Sequence, residues 1–154
     1  VSFHGGAEGA AYQNVPKKHE LFHGEDRGNV YEFAHLLVDA GADVIFGQGP
    51  HVLRAVEVYN KRFISYSAGN FCTYGGMSVN GVNGLAPIFK VFANKKGEFI
   101  KGQVIPCYQL SHTYVHYDPD KRAITLLKYL TKQDFPDSDL TITDNGEILL
   151  KGAE

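Results

Sequence analysis

The sequence predicts an α/β domain, and two patterns near its middle support this. Apolar residues recur between Val30 and Val38 with the i, i+3, i+4, i+7 spacing of one helix face. A short apolar run at residues 43–47 follows, which is typical of a strand covered on both faces. The 154 residues are 44% hydrophobic, enough for a buried core. We therefore expect residues 1–154 to form a single domain.

The predicted helix has polar and glycine residues near both ends. Asp26 is the expected cap of its first turn, and Gly41 follows its last turn. Before it, Val1–Phe3 is predicted as the end of a buried strand that turns at two glycines. Because the chain starts without Met and within this strand, we expect it to be a fragment or a processed product.

The second half of the sequence predicts antiparallel strands and one helix. Apolar and polar residues alternate on both sides of three turns, at residues 60–61, 95–97 and 144–146. Glycine and asparagine dominate residues 75–84, which predicts a mobile surface loop. Asp118 and Pro119 are expected to open a last helix that ends before Phe135. Its apolar face would consist of Ile124, Leu127 and Leu130.

Charge, hydropathy and cysteine content exclude several classes of protein. Fifteen Lys and Arg residues stand against 17 Asp and Glu, so no broad cationic field is available for a nucleic acid. No apolar stretch approaches the ~20 residues of a membrane-spanning helix. Cys72 and Cys107 are too few for a disulfide framework or a zinc ribbon, although one bridge stays open. We expect no nucleic-acid partner and no membrane span in this chain.

Two histidines follow apolar runs and have small neighbours. His4 precedes two glycines, and His51 follows a Gly-Gln-Gly-Pro segment. Strand exits are where α/β sheets place ligands, and imidazole binds zinc, iron and manganese. Because a hydrolytic metal centre needs about three protein ligands, others would come from Glu8, Gln48, Asn70 or a segment outside this chain.

The alternative is that both histidines are hydrogen-bonded loop residues. We interpret the other five histidines as solvent-facing or bonded to backbone. Gly47 and Gly49 lack the phosphate-loop and dinucleotide patterns, so a tight turn explains them. Ser67 is not in an esterase motif. Arg54, close to His51, is a candidate for pairing with an anionic substrate through its planar guanidinium.

Four short segments, together with Glu57 and Tyr59, form a pattern found in a known protein family. The segments are 4–8 (His-Gly-Gly-Ala-Glu), 40–45 (Ala-Gly-Ala-Asp-Val-Ile), 49–54 (Gly-Pro-His-Val-Leu-Arg) and 66–71 (Tyr-Ser-Ala-Gly-Asn-Phe). In this order they resemble the CapA family of bacterial capsule and poly-gamma-glutamate synthesis proteins, most strongly over residues 26–74. The resemblance implies part of a calcineurin-like metallophosphatase sandwich, in which helices flank two packed mixed β-sheets. The chain would be its carboxyl-terminal part, without the family's early Gly-Asp and Asn-Asn-His metal-binding segments.

The resemblance also implies roles for individual residues. His4 and Glu8 match the family's His-Trp-Gly-x-Glu stretch, with glycine in place of the aromatic residue. His51 matches the last histidine of a Gly-His-x-Pro-His stretch, in which Gln48 replaces an earlier histidine; in a His-Pro-His register, Gly49 is the departure instead. His4 and His51 would be metal ligands and catalytic groups, and Gln48 a poorer ligand. Glu8, Arg54 and Asn70 would bind substrate.

By resemblance, the chain is expected to be an accessory protein of capsule or poly-gamma-glutamate synthesis in the cell envelope, outside the cytoplasm. A degenerate, divalent-metal-dependent phosphoesterase-like site would act on an anionic polymer or a phosphoester, beside other capsule-synthesis membrane proteins. If the two-metal centre assembles, the chain is a hydrolase of the metallophosphoesterase type. The alternatives are a non-catalytic component for polymer binding or export, which Gln48 favours, and a purely structural remnant.

Overall fold

The structure, a computed structural model, describes residues 1–152 and confirms the predicted α/β class. Two helices and two four-stranded sheets form its framework, with two further two-stranded ribbons. Short 3₁₀ turns lie at Ala10–Tyr12 and Gly81–Gly84. The helices are α1 (Val30–Asp39) and α2 (Arg122–Asp134), and the strands are β1 (Ser2–His4), β2 (Leu21–Phe22), β3 (Glu25–Asp26), β4 (Val44–Gln48), β5 (Val56–Tyr59), β6 (Arg62–Ser65), β7 (Ile88–Ala93), β8 (Phe99–Ile105), β9 (Cys107–Gln109), β10 (Val115–Tyr117), β11 (Leu140–Ile142) and β12 (Glu147–Leu150).

The first sheet has the strand order β1-β4-β6-β5 and is mixed. β1, β4 and β6 run parallel, and β5 pairs with β6 as the predicted hairpin. The second sheet, β11-β12-β8-β7, is antiparallel throughout. The family resemblance implies two mixed sheets, but only the first sheet is mixed and the second is antiparallel.

Alternation along β6 places the first sheet between two apolar clusters. Phe63 belongs to the cluster shared with the second sheet, whereas its neighbour Ile64 belongs to the cluster beneath α1. The rings of Phe63 and Phe99 stack with centroids 5.5 Å apart, joining the two sheets. Helix α2 contributes to both clusters, because Leu127 lies in the first and Leu130 in the second. The predicted apolar face of α2 is confirmed.

Helix α1 matches its predicted span but begins with a different cap. Asn29 Oδ1 accepts a hydrogen bond from the Glu32 amide at 3.2 Å, so the prediction of Asp26 as the cap is wrong. The Asp26 carboxylate instead accepts from the Gly28 amide and from His19, and these bonds lower its pKa. Gly41 does follow the helix, with φ 102° and its amide bonded to the Val38 carbonyl, as a Schellman end requires.

Three further predictions need correction. Helix α2 begins at Arg122, because the chain turns at residues 118–121 and Asp118 accepts the Arg122 amide. Strand β1 is exposed rather than buried, since it forms the edge of its sheet. The long strand expected up to Tyr108 breaks into β8 and β9 at Pro106, which has no amide hydrogen for a ladder.

The structure also shows the state of the two cysteines and the character of the two helices. Cys72 is exposed, Cys107 is buried, and both are free, so the disulfide that the sequence left open is not formed. Burial raises the pKa of the Cys107 thiol. Neither helix in residues 1–152 has the length and apolar character needed to cross a membrane.

Candidate functional site

The parallel pairing of β1 and β4 brings the two candidate histidines to one edge of the first sheet. His4 and Gln48 are register partners at the ends of their strands, and the Gly5 amide donates to the Gln48 carbonyl at 2.9 Å. His51 follows three residues later, and its ring centroid lies 6.3 Å from that of His4. The structure therefore brings these imidazoles together, while their role as metal ligands stays a prediction.

Two glycines allow the segments of this edge to approach closely. Gly49 has φ 122°, and a Cβ there would lie 2.6 Å from the Gly5 carbonyl oxygen. A Cβ on Gly47 would lie 2.4 Å from the Tyr66 carbonyl oxygen. Real Cβ atoms do not come so close to backbone, so a larger residue at position 49 would push the His4 and His51 segments apart, and one at position 47 would push β4 away from Tyr66. The tight turn predicted for these glycines is therefore an incomplete explanation.

Asn70 determines which nitrogen of His51 is free. Its Oδ1 lies 2.8 Å from His51 Nδ1, and its Nδ2 lies within 3.3 Å of the carbonyl oxygens of His51, Ser78 and Asn83. Because Nδ2 faces three acceptors, the amide orientation is fixed, and Oδ1 must accept the Nδ1 proton of neutral His51. The lone pair of His51 therefore lies on Nε2.

His51 is also held in an unusual backbone conformation. Its φ of 56° lies in the left-handed region, which non-glycine residues adopt mainly where surrounding contacts enforce it. The buried Asn70 side chain supplies such contacts from the other side of the segment. Asn70 therefore positions His51, while its role as a substrate ligand stays a prediction.

His51 and Glu8 share a cavity, whereas His4 lines a neighbouring one. The His51 cavity, of about 220 Å³, is bordered by Glu8, Phe22 and Asn83. The His4 cavity, of about 270 Å³, is mostly apolar and includes Arg27. Arg27 Nη2 lies 3.0 Å from Glu8 Oε1, so this ion pair links the linings of the two cavities. Glu8 therefore faces the predicted cleft, but with its charge already paired.

Arg54 does not line the cleft, and that prediction is wrong. Its side chain is 0% exposed, and its Nη atoms lie 2.8 and 2.7 Å from the two Glu20 carboxylate oxygens. The same guanidinium donates to the carbonyls of Tyr12 and Ala7, while the Ala7 amide donates to Glu20. The donors of Arg54 are all used inside the protein. Arg54 therefore anchors the loop that contains Glu8 against the segment that follows His51.

Comparison with known proteins identifies the segment that contains His51. Residues 25–74 match the family model described as the bacterial capsule synthesis protein PGA_cap. Over these 50 residues, about a third of the chain, the sequence is similar to the bacterial capsule synthesis protein family. The match agrees with the region where the sequence resemblance is strongest. It includes Gln48, His51, Arg54 and Asn70.

Three curated proteins are similar to part of this chain. The PGA biosynthesis protein CapA of Bacillus subtilis is 55% identical over 40 residues, which are 26% of this chain and 10% of that protein. The capsule biosynthesis protein CapA of Bacillus anthracis is 55% identical over 38 residues, 25% of this chain and 9% of its own. An uncharacterized protein, y4sH, of Sinorhizobium fredii is 58% identical over 38 residues, 25% and 8% respectively. The matched region thus spans at most a tenth of these relatives.

The residues of the matched segment and its neighbours do not complete a metal centre by themselves. Within residues 1–152, no three His, Cys, Asp or Glu side chains are grouped closely enough to hold a metal ion. With metal–nitrogen bonds of ~2.0–2.1 Å at a tetrahedral ion, two imidazole centroids lie roughly 5 Å apart. The observed 6.3 Å would need the rings to approach by roughly 1 Å. The separation of the His4 and His51 rings is therefore close to, but longer than, that of two imidazoles on one ion, and their role as metal ligands stays a prediction.

Sequence reasoning missed Glu20 and misjudged His35. Glu20 lies in an irregular polar stretch, and nothing in that pattern distinguishes a buried acid from a solvated one. His35 was expected to face solvent or backbone, but its Nε2 lies 3.0 Å from Glu57 Oε2. The Tyr66 hydroxyl donates to the same oxygen at 2.7 Å, and burial, with the nearby Glu57 charge, raises the Tyr66 pKa. The position of His35 in the helical pattern did not predict Glu57 as its partner, because Glu57 lies 22 residues away in the sequence.

Proposed function

We propose that this chain is part of a protein that acts in the synthesis of an acidic capsule polymer. We further propose that its β1–β4 edge contributes two imidazole ligands to a divalent metal site. The observation that supports the site most strongly is the His51–Asn70 hydrogen bond. In the neutral ring this bond leaves Nε2 as the nitrogen free to bind a metal, and metal-binding histidines are oriented in the same way by a partner on their other nitrogen.

The fold supports a calcineurin-like metallophosphatase architecture, which we propose for the whole domain. One mixed sheet packs between helix α1 and a second sheet, and the candidate site lies at strand ends, where α/β folds place ligands. The further ligands would come from parts of the family protein other than residues 1–152. A bound divalent ion would act as a Lewis acid on a phosphoester or another ester. The described residues hold too few ligands to assign a reaction step.

The donor types at this edge bear on the choice of metal. Two imidazoles suit zinc, iron, cobalt or manganese, whereas the amide oxygen of Gln48 suits harder ions such as magnesium or calcium. Gln48 is the register partner of His4, so its side chain projects to the same face of the sheet. A histidine at position 48 would therefore add a third imidazole to the pair.

Calorimetric titration with Co²⁺ tests the proposed metal site. We expect weak binding by the chain as it stands and at least tenfold tighter binding by Gln48→His, because that variant offers three imidazoles. Adding His51→Ala to Gln48→His should remove this gain, whereas His112→Ala, at an exposed position, should leave it intact. Tight binding that persists without His4 and His51, or no gain from Gln48→His, would contradict the proposal.

A genetic measurement tests the proposed role in capsule synthesis. In the bacterium that encodes the chain, an allele with His51→Ala should lower the amount of surface polymer, whereas His112→Ala should not. The polymer is expected outside the cytoplasm, in the cell envelope, beside the other membrane proteins of capsule synthesis. An unchanged polymer yield in cells that lack the whole gene would refute this role.

The second candidate function is a non-catalytic component that binds or exports the polymer. The incomplete ligand set within residues 1–152, with Gln48 at the expected histidine position, favours it. In that case His4→Ala and His51→Ala would leave the polymer yield unchanged, while deletion of the gene would still lower it. The two candidates therefore differ in the behaviour of the two histidine alleles.

A further inference from the structure

The hairpin formed by β7 and β8 carries a positive charge that the chain as a whole does not. Residues 85–105 contain four lysines and one glutamate, a net charge of +3, within a chain of net charge −2. The glutamate, Glu98, accepts hydrogen bonds from Lys61 and Asn94 and from none of the four lysines. None of the four lysines forms an ion pair with any residue from 1 to 152. They are Lys90, Lys95, Lys96 and Lys101.

Two of these lysines lie on the outer face of the second sheet, around an exposed aromatic ring. Lys90 and Phe92 alternate outward on β7, and Phe92 is the register partner of Lys101. Lys101 Nζ lies 5.5 Å from the centre of the Phe92 ring, which is 45% exposed. Both lysines border one cavity of about 240 Å³, and the Glu147 side chain borders it from β12, so the cavity lining carries two positive charges and one negative charge. We call the surface made by Lys90, Phe92 and Lys101 the lysine face.

The sheet geometry gives the lysine face the shape of an extended track. β7 is the edge strand of its sheet within residues 1–152, so one row of its backbone groups has no partner strand. The regular register ends at the pair of Phe92 and Lys101, and a bulge at Ile100 then shifts the pairing by one residue. Lys101 lies diagonally across the strand pair from Lys90, and residues at such positions are roughly 7–8 Å apart, so the two lysines are not directly opposite each other.

We propose that the lysine face binds an extended polycarboxylate chain, an inference that rests on the proposed role in acidic capsule polymer synthesis. The separated ammonium groups would each pair with one carboxylate of the polymer. The methylene groups between carboxylates would pack on Phe92, and Ile88, also exposed on β7, would extend this apolar contact. Each ion pair at an exposed surface contributes little, so binding depends on several contacts along one polymer chain.

Fluorescence anisotropy with labelled poly-γ-glutamate tests this inference. The unmodified chain should bind the polymer, with an affinity that falls as salt rises, because the lysines are exposed. Lys90→Gln together with Lys101→Gln should weaken binding by roughly 2- to 30-fold, as expected for the loss of two exposed ion pairs. The matched control is Lys18→Gln with Lys132→Gln, which removes the same charge from exposed positions elsewhere and should change binding less than twofold.

Two comparisons make the test decisive. Phe92→Thr keeps all charges and a residue that favours strands, and it should still weaken binding if methylene groups pack on the ring. Heparin and anionic phospholipid vesicles at equal charge concentration should bind more weakly than poly-γ-glutamate. Equal binding of all three polyanions, equal effects of the two lysine pairs, or no binding at all would overturn the inference. Because Co²⁺ binding at the histidines is measured separately, these outcomes leave the proposed metal site standing.

Discussion

Different interactions stabilise the site-bearing edge of the first sheet and the interior of the second sheet. At the site-bearing edge of the first sheet, buried polar groups connect segments that are far apart in sequence, as Arg54 does with Glu20 and Asn70 with His51. The second sheet is held by apolar packing, with Ile148 fully buried between strands and helix α2. Polar contacts are directional and costly when broken, whereas apolar packing tolerates changes of shape that conserve volume. The difference indicates that the first region is built to fix particular side chains.

The largest expected effect is the loss of the buried Arg54 guanidinium. Arg54→Met would leave the Glu20 carboxylate buried without its partner, and breaking such a pair costs about 3–5 kcal/mol. We expect this loss in the free energy of unfolding measured with urea. The double variant Arg54→Met with Glu20→Gln should recover part of the loss, since no charge then stays buried alone. A loss below about 1 kcal/mol in the single variant would contradict the assigned role.

A core substitution in the second sheet sharpens the contrast. Ile148→Ala removes a fully buried side chain and should cost about 2–5 kcal/mol of unfolding free energy. Arg54→Met should shift the NMR signals of the His51 ring. Ile148→Ala should leave these signals unchanged, because Ile148 packs in the second sheet, away from the site-bearing edge. Ile100, which is half exposed, provides the matched control, and Ile100→Ala should cost much less. Equal disturbance of the His51 ring by both core and Arg54 variants would remove the distinction between the regions.

Within the site, Asn70 is expected to control the tautomer of His51. Asn70→Ala would leave the His51 Nδ1 proton and three carbonyl oxygens without their partner, at a cost of about 1–3 kcal/mol. It should also shift the ring from one tautomer to a mixture, which ¹⁵N NMR of the imidazole detects. Asn80→Ala, on an exposed residue of the same loop, should change neither quantity. An unchanged tautomer in Asn70→Ala would show that another group orients the ring.

The smallest effect concerns Asp134, which binds the loop before β2 to helix α2. Its carboxylate accepts from Asn14 Nδ2 and from the Val15 amide, and burial raises its pKa. Because the folded state favours the protonated form, the stability from this shift is present below the ordinary pKa of Asp. It is lost as pH rises through the raised folded value. The unfolding free energy of the native chain minus that of Asp134→Asn should therefore fall as pH rises above about 4, the ordinary pKa of an Asp side chain, whereas a rise would contradict the direction.

Local patterns predicted most of the fold, because they depend on neighbours in sequence. The apolar periodicity of α1, the turn at residues 60–61 and the buried face of α2 all act over short distances, and the structure confirms them. Convergence of His4 and His51 was also predictable, since parallel strands end at the same edge of a sheet.

The polar contacts of the site were not predictable in the same way. Glu20 and Arg54 are 34 residues apart, and an arginine in an alternating segment is equally typical of a solvent-facing position. The positioning role of Asn70 depends on three carbonyls brought together by the 3₁₀ turn at Gly81–Gly84 and its neighbours. Only the assembled fold shows such partners, so residue type alone led us to assign Arg54 and Asn70 to substrate.

A paramagnetic titration tests the central claim that His4 and His51 share one site most directly. Co²⁺ is paramagnetic and accepts imidazole ligands, so NMR ring signals near a bound ion broaden even when binding is weak. We predict that the His4 and His51 signals broaden together, at lower Co²⁺ concentration than those of the other five histidines, and that His51→Ala restores the His4 signal. Broadening of only one of the two rings, or of all seven histidines alike, would contradict the account.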